Sequence, residues 1–215
     1  MPVTQPCSDP SRYQSTRNQA LRLFAERGFS RVSMRELADY LGIRPGSIYN
    51  HIESKEALLF ELIEELYEEL LHAASQVCRQ AATPAERLHG LLEAHLRLHT
   101  SMAAHFRLAE YDSHCLDSEQ QAKIRRLRAC YAQQLVESVE RFTGQPVGSN
   151  RRAALNGIVT LLNQLPAWIE APQMNRPARQ ELLRDMALSA LHGALRATQE
   201  QTAQVDASVG FGDAL

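Results

Sequence analysis

The chain has 215 residues, 44% of them hydrophobic, and a formal charge of −2; that is enough apolar matter for a packed core and excludes global disorder. No apolar run approaches the roughly 18 residues that span a bilayer, and the start "MPVTQPCSDPSR" has neither the basic residues nor the apolar stretch of a secretion signal. Helix formers dominate, Gly (10) and Pro (9) are scarce, and β-branched residues are few, so the fold class reads as all-α.

Residues 1–10 carry no periodic pattern and are expected to be flexible. Around 11–27, Ala20, Leu21, Phe24 and Ala25 form an apolar stripe, and Gly28 follows as a stop. Ser33-Met-Arg-Glu36 spells a capping box, in which the Ser hydroxyl takes an early backbone N–H and the Glu reaches back. Met34, Leu37, Ala38 and Leu41 put one apolar face on the helix behind it, and Gly42 ends it. A third helix over 44–50 can begin at once, because Pro45 is tolerated in a first turn.

Ser54 is placed to cap a long helix with Leu58, Leu59, Leu62, Ile63, Leu66, Tyr67, Leu70 and Leu71 along one side. Glu61, Glu64, Glu65, Glu68 and Glu69 form the other side, which reads as a solvated face. Thr83-Pro-Ala-Glu86 is a second capping box, opening a helix to about Met102; 103–116 is less regular; Asp117-Ser-Glu-Gln120 opens another long helix to Phe142. Helices over 150–170 and 177–198 follow, the first with Pro166 inside it as an expected kink. The tail, 199–215, is polar and is expected to be disordered. Cys7, Cys78, Cys115 and Cys130 lie far apart with no CxxC pair, the pattern of reduced thiols, so a cytoplasmic location is expected.

Charge is unevenly placed. Residues 1–55 hold eight Lys/Arg and five Asp/Glu, a net of +3, and the remainder carries −5. Two short helices meeting at "YLGIRP" have the form of a helix-turn-helix, whose second helix enters the DNA major groove. Only Ile48 in that helix suits a core anchor, with Leu41 and Ile43 expected to point inward beside the turn. Arg44, Ser47, Tyr49 and Asn50 are left outward, and Gly46 permits close backbone approach. Arg pairs with guanine and Asn with adenine, while Ser and Tyr reach phosphates or base edges.

The run "ALRLFAERGFSRVSMRELADYLGIRPGSIYNHIESKEALL" resembles the DNA-binding domain of the TetR/AcrR family of transcriptional regulators. It departs at Pro45, where similar members commonly carry Lys, and at Ile52, where they carry Phe. The resemblance implies an N-terminal three-helix DNA-binding domain over 11–55 and a helical ligand-binding and dimerisation domain over 56–198. It also implies roles for single residues. Ser33 and Arg35 would hold phosphates; Arg44, Pro45, Gly46, Ser47, Tyr49, Asn50 and His51 would lie in or beside the groove; Lys55 would meet a phosphate at a helix start. The implied partners are a palindromic double-stranded operator, a second copy of the chain through helices near 150–170 and 177–198, and a small effector; the C-terminal half loosely resembles the fatty-acid- and acyl-thioester-responsive members, which makes an acyl-CoA or a fatty acid the expected effector.

The stripes on those two helices, Leu155, Ile158, Leu162, Leu165 and Ile169, then Leu182, Leu183, Met186, Ala187, Ala190, Leu191, Ala194 and Leu195, fit either a dimer interface or an intramolecular core. Candidates for the effector pocket are Phe60, Tyr67, Phe106, Arg107, Tyr111, Tyr131, Asn163 and Trp168, mostly apolar, which favours a hydrophobic or amphipathic ligand. The basic run "KIRRLR", Lys123 to Arg128, reads as a solvated face, with Glu119 placed to pair with Lys123, or as a phosphate-holding patch for an acyl-coenzyme A.

Two other readings stay open. His89, His95, His99, His105 and His114, with Cys115, could make a metal sensor, His95 and His99 sharing a helix face. The chain could also be a helical interaction module without sequence-specific DNA binding. No phosphate loop, nucleophile elbow or paired acids with a partner base occurs, so neither catalysis nor a cofactor is expected.

Overall fold

The computed structural model describes residues 10–50, 52–169 and 174–209, with side chains described for all of these but 10–12, 50, 168 and 197–209. There is no strand among the described residues. Among the described residues eight α-helices follow in order: α1 (Pro10–Arg27), α2 (Met34–Tyr40), α3 (Lys55–Gln80), α4 (Pro84–Ser101), α5 (Ala103–Tyr111), α6 (Ser118–Thr143), α7 (Ser149–Trp168) and α8 (Arg176–Val209), with short 3-10 turns at Phe29–Arg31, Pro45–Asn50 and Ser113–Cys115.

The helix starts are where the caps were written. Ser33 Oγ accepts from the Glu36 N–H at 3.2 Å while Glu36 Oε2 accepts from the Ser33 N–H at 2.8 Å. Thr83 and Glu86 repeat the exchange at 3.1 and 3.2 Å, and Asp117 and Gln120 at 2.8 and 3.3 Å. Ser54 Oγ takes the Ala57 N–H at 2.9 Å. Each bond satisfies a first-turn N–H that has no helical acceptor. Three predicted elements change character. The 103–116 stretch contains the regular helix α5; the segment expected as a helix over 44–50 is a 3-10 turn; and α8 continues to Val209, past residue 199, into the stretch expected to be disordered, while 210–215 lie outside the described residues.

Two compact units result: one holds the residues up to Glu69 with Met102–Leu127, the other Leu70–Ser101 with the residues from Arg128 on. α3 and α6 each contribute to both units. In the first unit α5 packs on α1, and the acidic side of α3 is not simply solvated. Arg17 of α1 bridges Glu61 (3.4 Å) and Glu65 (2.8 Å), the Tyr13 hydroxyl donates to Glu61 at 2.7 Å, and Lys123 of α6 pairs with Glu64 at 2.5 Å rather than with Glu119. His105 of α5 lies 3.7 Å from Glu65; burial holds its ring below the usual imidazole range, opposed by the Glu65 charge.

In the second unit α4, α7 and α8 pack together. Leu155, Ile158, Leu162 and Leu165 of α7 and Leu183, Ala187 and Leu191 of α8 are buried within the chain. The opposite faces carry small or scattered apolar residues: Ala153, Ala154, Gly157 and Thr160 on α7, and Leu182, Met186, Ser189 and Gly193 on α8 are exposed. α7 runs through Pro166, whose missing N–H leaves the Leu162 carbonyl without a helical donor. The His95 ring faces that carbonyl, and Arg179 closes the helix end by donating to the Pro166 and Ile169 carbonyls.

Candidate nucleic-acid interface

The turn after α2 is a Schellman motif: Gly42, at φ +68°, donates to the Asp39 carbonyl at 3.2 Å, and Ile43 donates to Ala38 at 3.0 Å. Leu37 and Ala38 are buried and hold α2 down, while Leu41 and Ile43, expected to point inward, are only half-buried. The following segment winds as a 3-10 turn, with Ser47 N–H to the Arg44 carbonyl at 2.8 Å. Ile48, 0% exposed, is its anchor, and Ile52 is buried one turn later. Among its described side chains Ile48 alone is fully buried, and Pro45, Gly46 and Tyr49 face out.

Arg44, Pro45 and Gly46 are exposed, Ser47 is half-buried and Tyr49 is 60% exposed. Among the described residues Tyr49 is the most exposed large hydrophobic side chain, so its ring is free to meet a partner. Gly46 has nothing within 4 Å of a Cβ and no positive φ, so packing does not require glycine there. Arg35 is exposed on α2, and among the described residues neither it nor Arg44 has a carboxylate within ion-pair distance. The Asn50 side chain and His51 lie outside the described residues.

Two of the expected phosphate contacts are already engaged within the chain. The Ser33 hydroxyl donates to Glu36 at 2.8 Å as well as accepting from its N–H; the Ser33 backbone N–H first, then this hydroxyl, hold the Glu36 carboxyl below its ordinary range by donating to it. Lys55 Nζ donates to the Phe29 carbonyl at 3.1 Å and the Val32 carbonyl at 2.9 Å, and lies 4.2 Å from the centre of the Phe29 ring. Its ammonium has one donor left. Residues 29–31 are also held from the end of α5 and the 3-10 turn after it: Asp112 accepts from the Phe29 backbone, and Cys115 Sγ is 3.3 Å from Ser30 Oγ. Burial raises the Asp112 carboxyl above its ordinary value. Sequence spacing carried no signal for this clasp, because its partners are more than twenty residues apart in the chain.

The expected pocket residues fall in both units. Phe60, Tyr67, Phe106, Arg107 and Tyr111 fall in the first unit, where Tyr67 and Phe106 are buried, Lys123 covers the Phe60 ring at 5.3 Å, and Arg107 lies over the exposed Tyr111 ring at 5.9 Å. Tyr131 and Asn163 are buried in the second unit; the Trp168 side chain lies outside the described residues. Of the eight, Tyr131 alone lines the enclosed cavity there, a space of about 10 Å³ among Leu91, Leu92, Leu135, Val159 and Leu162. An open groove of about 460 Å³ between α4 and α8, edged by Glu93, Arg97 and Arg184, has none of them.

The five histidines do not converge. His95 Nδ1 is 2.9 Å from the Tyr131 hydroxyl, His99 Nε2 is 2.9 Å from the Asn163 carbonyl, His89 lies beside His192, and His105 and His114 belong to the first unit. Among the described residues no three His, Cys, Asp or Glu are placed to share a metal ion. Nor is any helix of the described residues long and apolar enough to cross a membrane.

An exposed basic and aromatic turn presented by a capped helix-turn-helix is matched by comparison with known sequences. The profile described as bacterial regulatory proteins, tetR family, matches residues 17–62, and that of the tetracyclin repressor-like C-terminal domain matches 81–191, more than half of the chain. The chain belongs to the TetR family. It is 36% identical over 89 residues to the transcriptional repressor KstR2 of Mycolicibacterium smegmatis, covering 40% of this chain and 43% of that one. The alignment thus spans less than half the length of that relative. Among solved structures, the ketosteroid regulator KstR2 of Mycobacterium tuberculosis superposes with a TM-score of 0.71 at 21% identity, covering 86% of this chain and 96% of that one. AibR, solved in complex with isovaleryl coenzyme A and operator DNA, gives 0.69 at 22%, covering 82% and 96%. At these identities the likeness to both structures shows the fold alone.

Proposed function

We propose that this TetR-family chain is an effector-responsive repressor that binds a palindromic operator as a homodimer. The observation that carries the reading is the surface of Arg44, Gly46, Ser47 and Tyr49, anchored by one buried isoleucine and otherwise open. Such a turn offers base-edge and phosphate donors without disturbing a core. Two copies would place their turns in successive major grooves about 34 Å apart. The repressor sign follows KstR2, which is named a repressor.

The dimer is proposed through α7 and α8, whose exposed Ala153, Gly157, Ser189 and Gly193 let helices approach closely while Leu182 and Met186 add apolar area. The effector is a small hydrophobic or amphipathic molecule that favours a form unable to grip the operator, a shift driven by unequal affinity for the two forms.

Operator fragments retained by the protein from genomic DNA, measured by fluorescence anisotropy, test this. Tyr49→Ala should weaken operator binding by roughly 1–3 kcal/mol with an unchanged circular dichroism spectrum. Unaltered affinity would take this turn out of the groove.

A further inference from the structure

Pro166 stands inside α7, shortly before its end at Trp168. Proline has no backbone N–H, so the Leu162 carbonyl one turn back gets no helical donor, and the ring crowds that carbonyl as well. Side chains of the same unit meet the carbonyls around it. The His95 ring of α4 faces the Leu162 carbonyl, and His99 Nε2, one turn further along α4, is 2.9 Å from the Asn163 carbonyl. Arg179 of α8 donates to the Pro166 carbonyl and, through Nε at 3.0 Å, to that of Ile169. Carbonyls from Leu162 to Ile169 are thus served by two neighbouring helices.

The partners fix where the protons sit. A carbonyl only accepts, so His99 carries its proton on Nε2. His95 Nδ1 is 2.9 Å from the Tyr131 hydroxyl. With Nε2–H turned to the Leu162 carbonyl, Nδ1 accepts and the tyrosine donates. His95, His99, Tyr131 and Leu162 are all buried, so water does not replace these donors, and a carbonyl left unserved there bears its full desolvation cost. Arg179 adds a positive charge beside the negative end of the α7 dipole.

On the other side of α7, Ala153, Gly157 and Thr160 are exposed. Small residues let a second helix approach the backbone closely, and the fit then depends on where the backbone stands, since no long side chain is there to adapt. We propose that His95, His99 and Arg179 are positioning residues for self-association: they supply the donors that Pro166 and the helix end withhold, and so fix the backbone whose outer face a second copy covers. This role rests on the dimer reading above and names the residues that hold its surface in place. A carbonyl that loses its donor is driven toward water. Water lies on the exposed side, so α7 must turn to reach it, carrying Gly157 and Thr160 with it.

The test uses the full chain, with sedimentation for self-association, anisotropy for operator binding and nitrogen NMR of the imidazole rings. His95→Leu with Tyr131→Phe removes a hydrogen-bonded pair together and leaves the Leu162 carbonyl unserved. Self-association of this variant should weaken about tenfold, and operator binding should fall with it. Adding Pro166→Ala returns a helical N–H to Leu162 and should restore self-association to within about threefold. In the unaltered chain both rings should carry the proton on Nε2. A proton on Nδ1 of either ring overturns the proposal, as does a failure of Pro166→Ala to rescue. So does a variant that loses thermal stability yet self-associates and binds operator like the parent, which would make these residues structural only. Should the His95 variant fail to fold, His99→Gln and His99→Leu take its place: the amide keeps a donor and should associate like the parent, the leucine should not, and equal behaviour overturns the role. Leu182→Arg with Met186→Arg is measured in parallel. If that variant stays dimeric, the dimer reading through α7 and α8 fails and the role falls with it. If it is monomeric while the His95 and His99 variants associate like the parent, the positioning role alone fails.

Discussion

Lys55 shows how one side chain can carry two demands. Its ammonium ties the carbonyls of Phe29 and Val32 to the start of α3, and charge-assisted bonds of this kind are worth more than neutral ones. Lys55→Ala should lower stability by roughly 1–3 kcal/mol in urea unfolding. It should reduce the salt dependence of operator binding by less than the full unit expected of a free phosphate contact. An unchanged urea midpoint with a full-unit change in slope would make Lys55 a phosphate contact only. His95 is the second informative residue. Burial first, then the nearby His99, push its ring down to about 3 from the model-peptide value of 6.5. Between pH 6.5 and 3 the unfolded chain takes up a proton that the folded chain excludes, so stability falls as pH falls through that window, by at most about 1.4 kcal/mol per pH unit from this group. His95→Gln should flatten the fall between pH 7.5 and 5.5 in urea midpoints. A variant as acid-sensitive as the parent would place the loss on other groups.

At the scale of elements, the caps and the crossings obey different rules. All three capping boxes are local, four residues each, and all three formed. The crossing of α3 and α4 is not local. A Cβ on Gly90 would stand 2.8 Å from Val77 Cγ1, inside van der Waals contact. Glycine is ordinarily a weak helix residue, and alanine would gain about 1 kcal/mol on propensity alone. Here the overpacking should reverse that sign, so Gly90→Ala destabilises by roughly 1 kcal/mol. The same change in a Val77→Ala background should be neutral or stabilising, read as a coupling in a double-mutant cycle. Additive effects would mean that the helices separate without strain. The 3-10 winding of Pro45–Asn50 has a related origin. A six-residue segment opening with Pro-Gly lacks the length and the propensity for a stable α-helix, and Ile48 alone anchors it.

For the whole molecule the outward faces of α7 and α8 matter most. Leu182 and Met186 are 36% and 40% exposed on a helix whose Leu183, Ala187 and Leu191 are buried. If a second copy covers that face, Leu182→Arg with Met186→Arg should give a monomer in sedimentation and weaken operator binding by more than tenfold, since both half-sites must be held together. A doubly substituted dimer would move the interface elsewhere.

The sequence by itself determined the helix starts, the glycine stops and the order of the helix-turn-helix, because caps, stops and apolar periodicity are set by residues within about one or two turns of each other. It also singled out Arg44, Gly46, Ser47 and Tyr49, since one isoleucine amid polar residues can bury only one side. Which apolar side chains face inward on α7 and α8 was decided by tertiary packing: Leu155 and Leu183 stripes fit a core or an interface equally well until neighbouring helices take one side. Tertiary structure also decided that Glu61, Glu64 and Glu65 meet cations from α1 and α6, and that Lys55 reaches back to carbonyls 23 and 26 residues away. The physical reason is common to all of these: desolvation and charge pairing depend on what lies within a few ångströms in space, and chain spacing alone does not encode that distance.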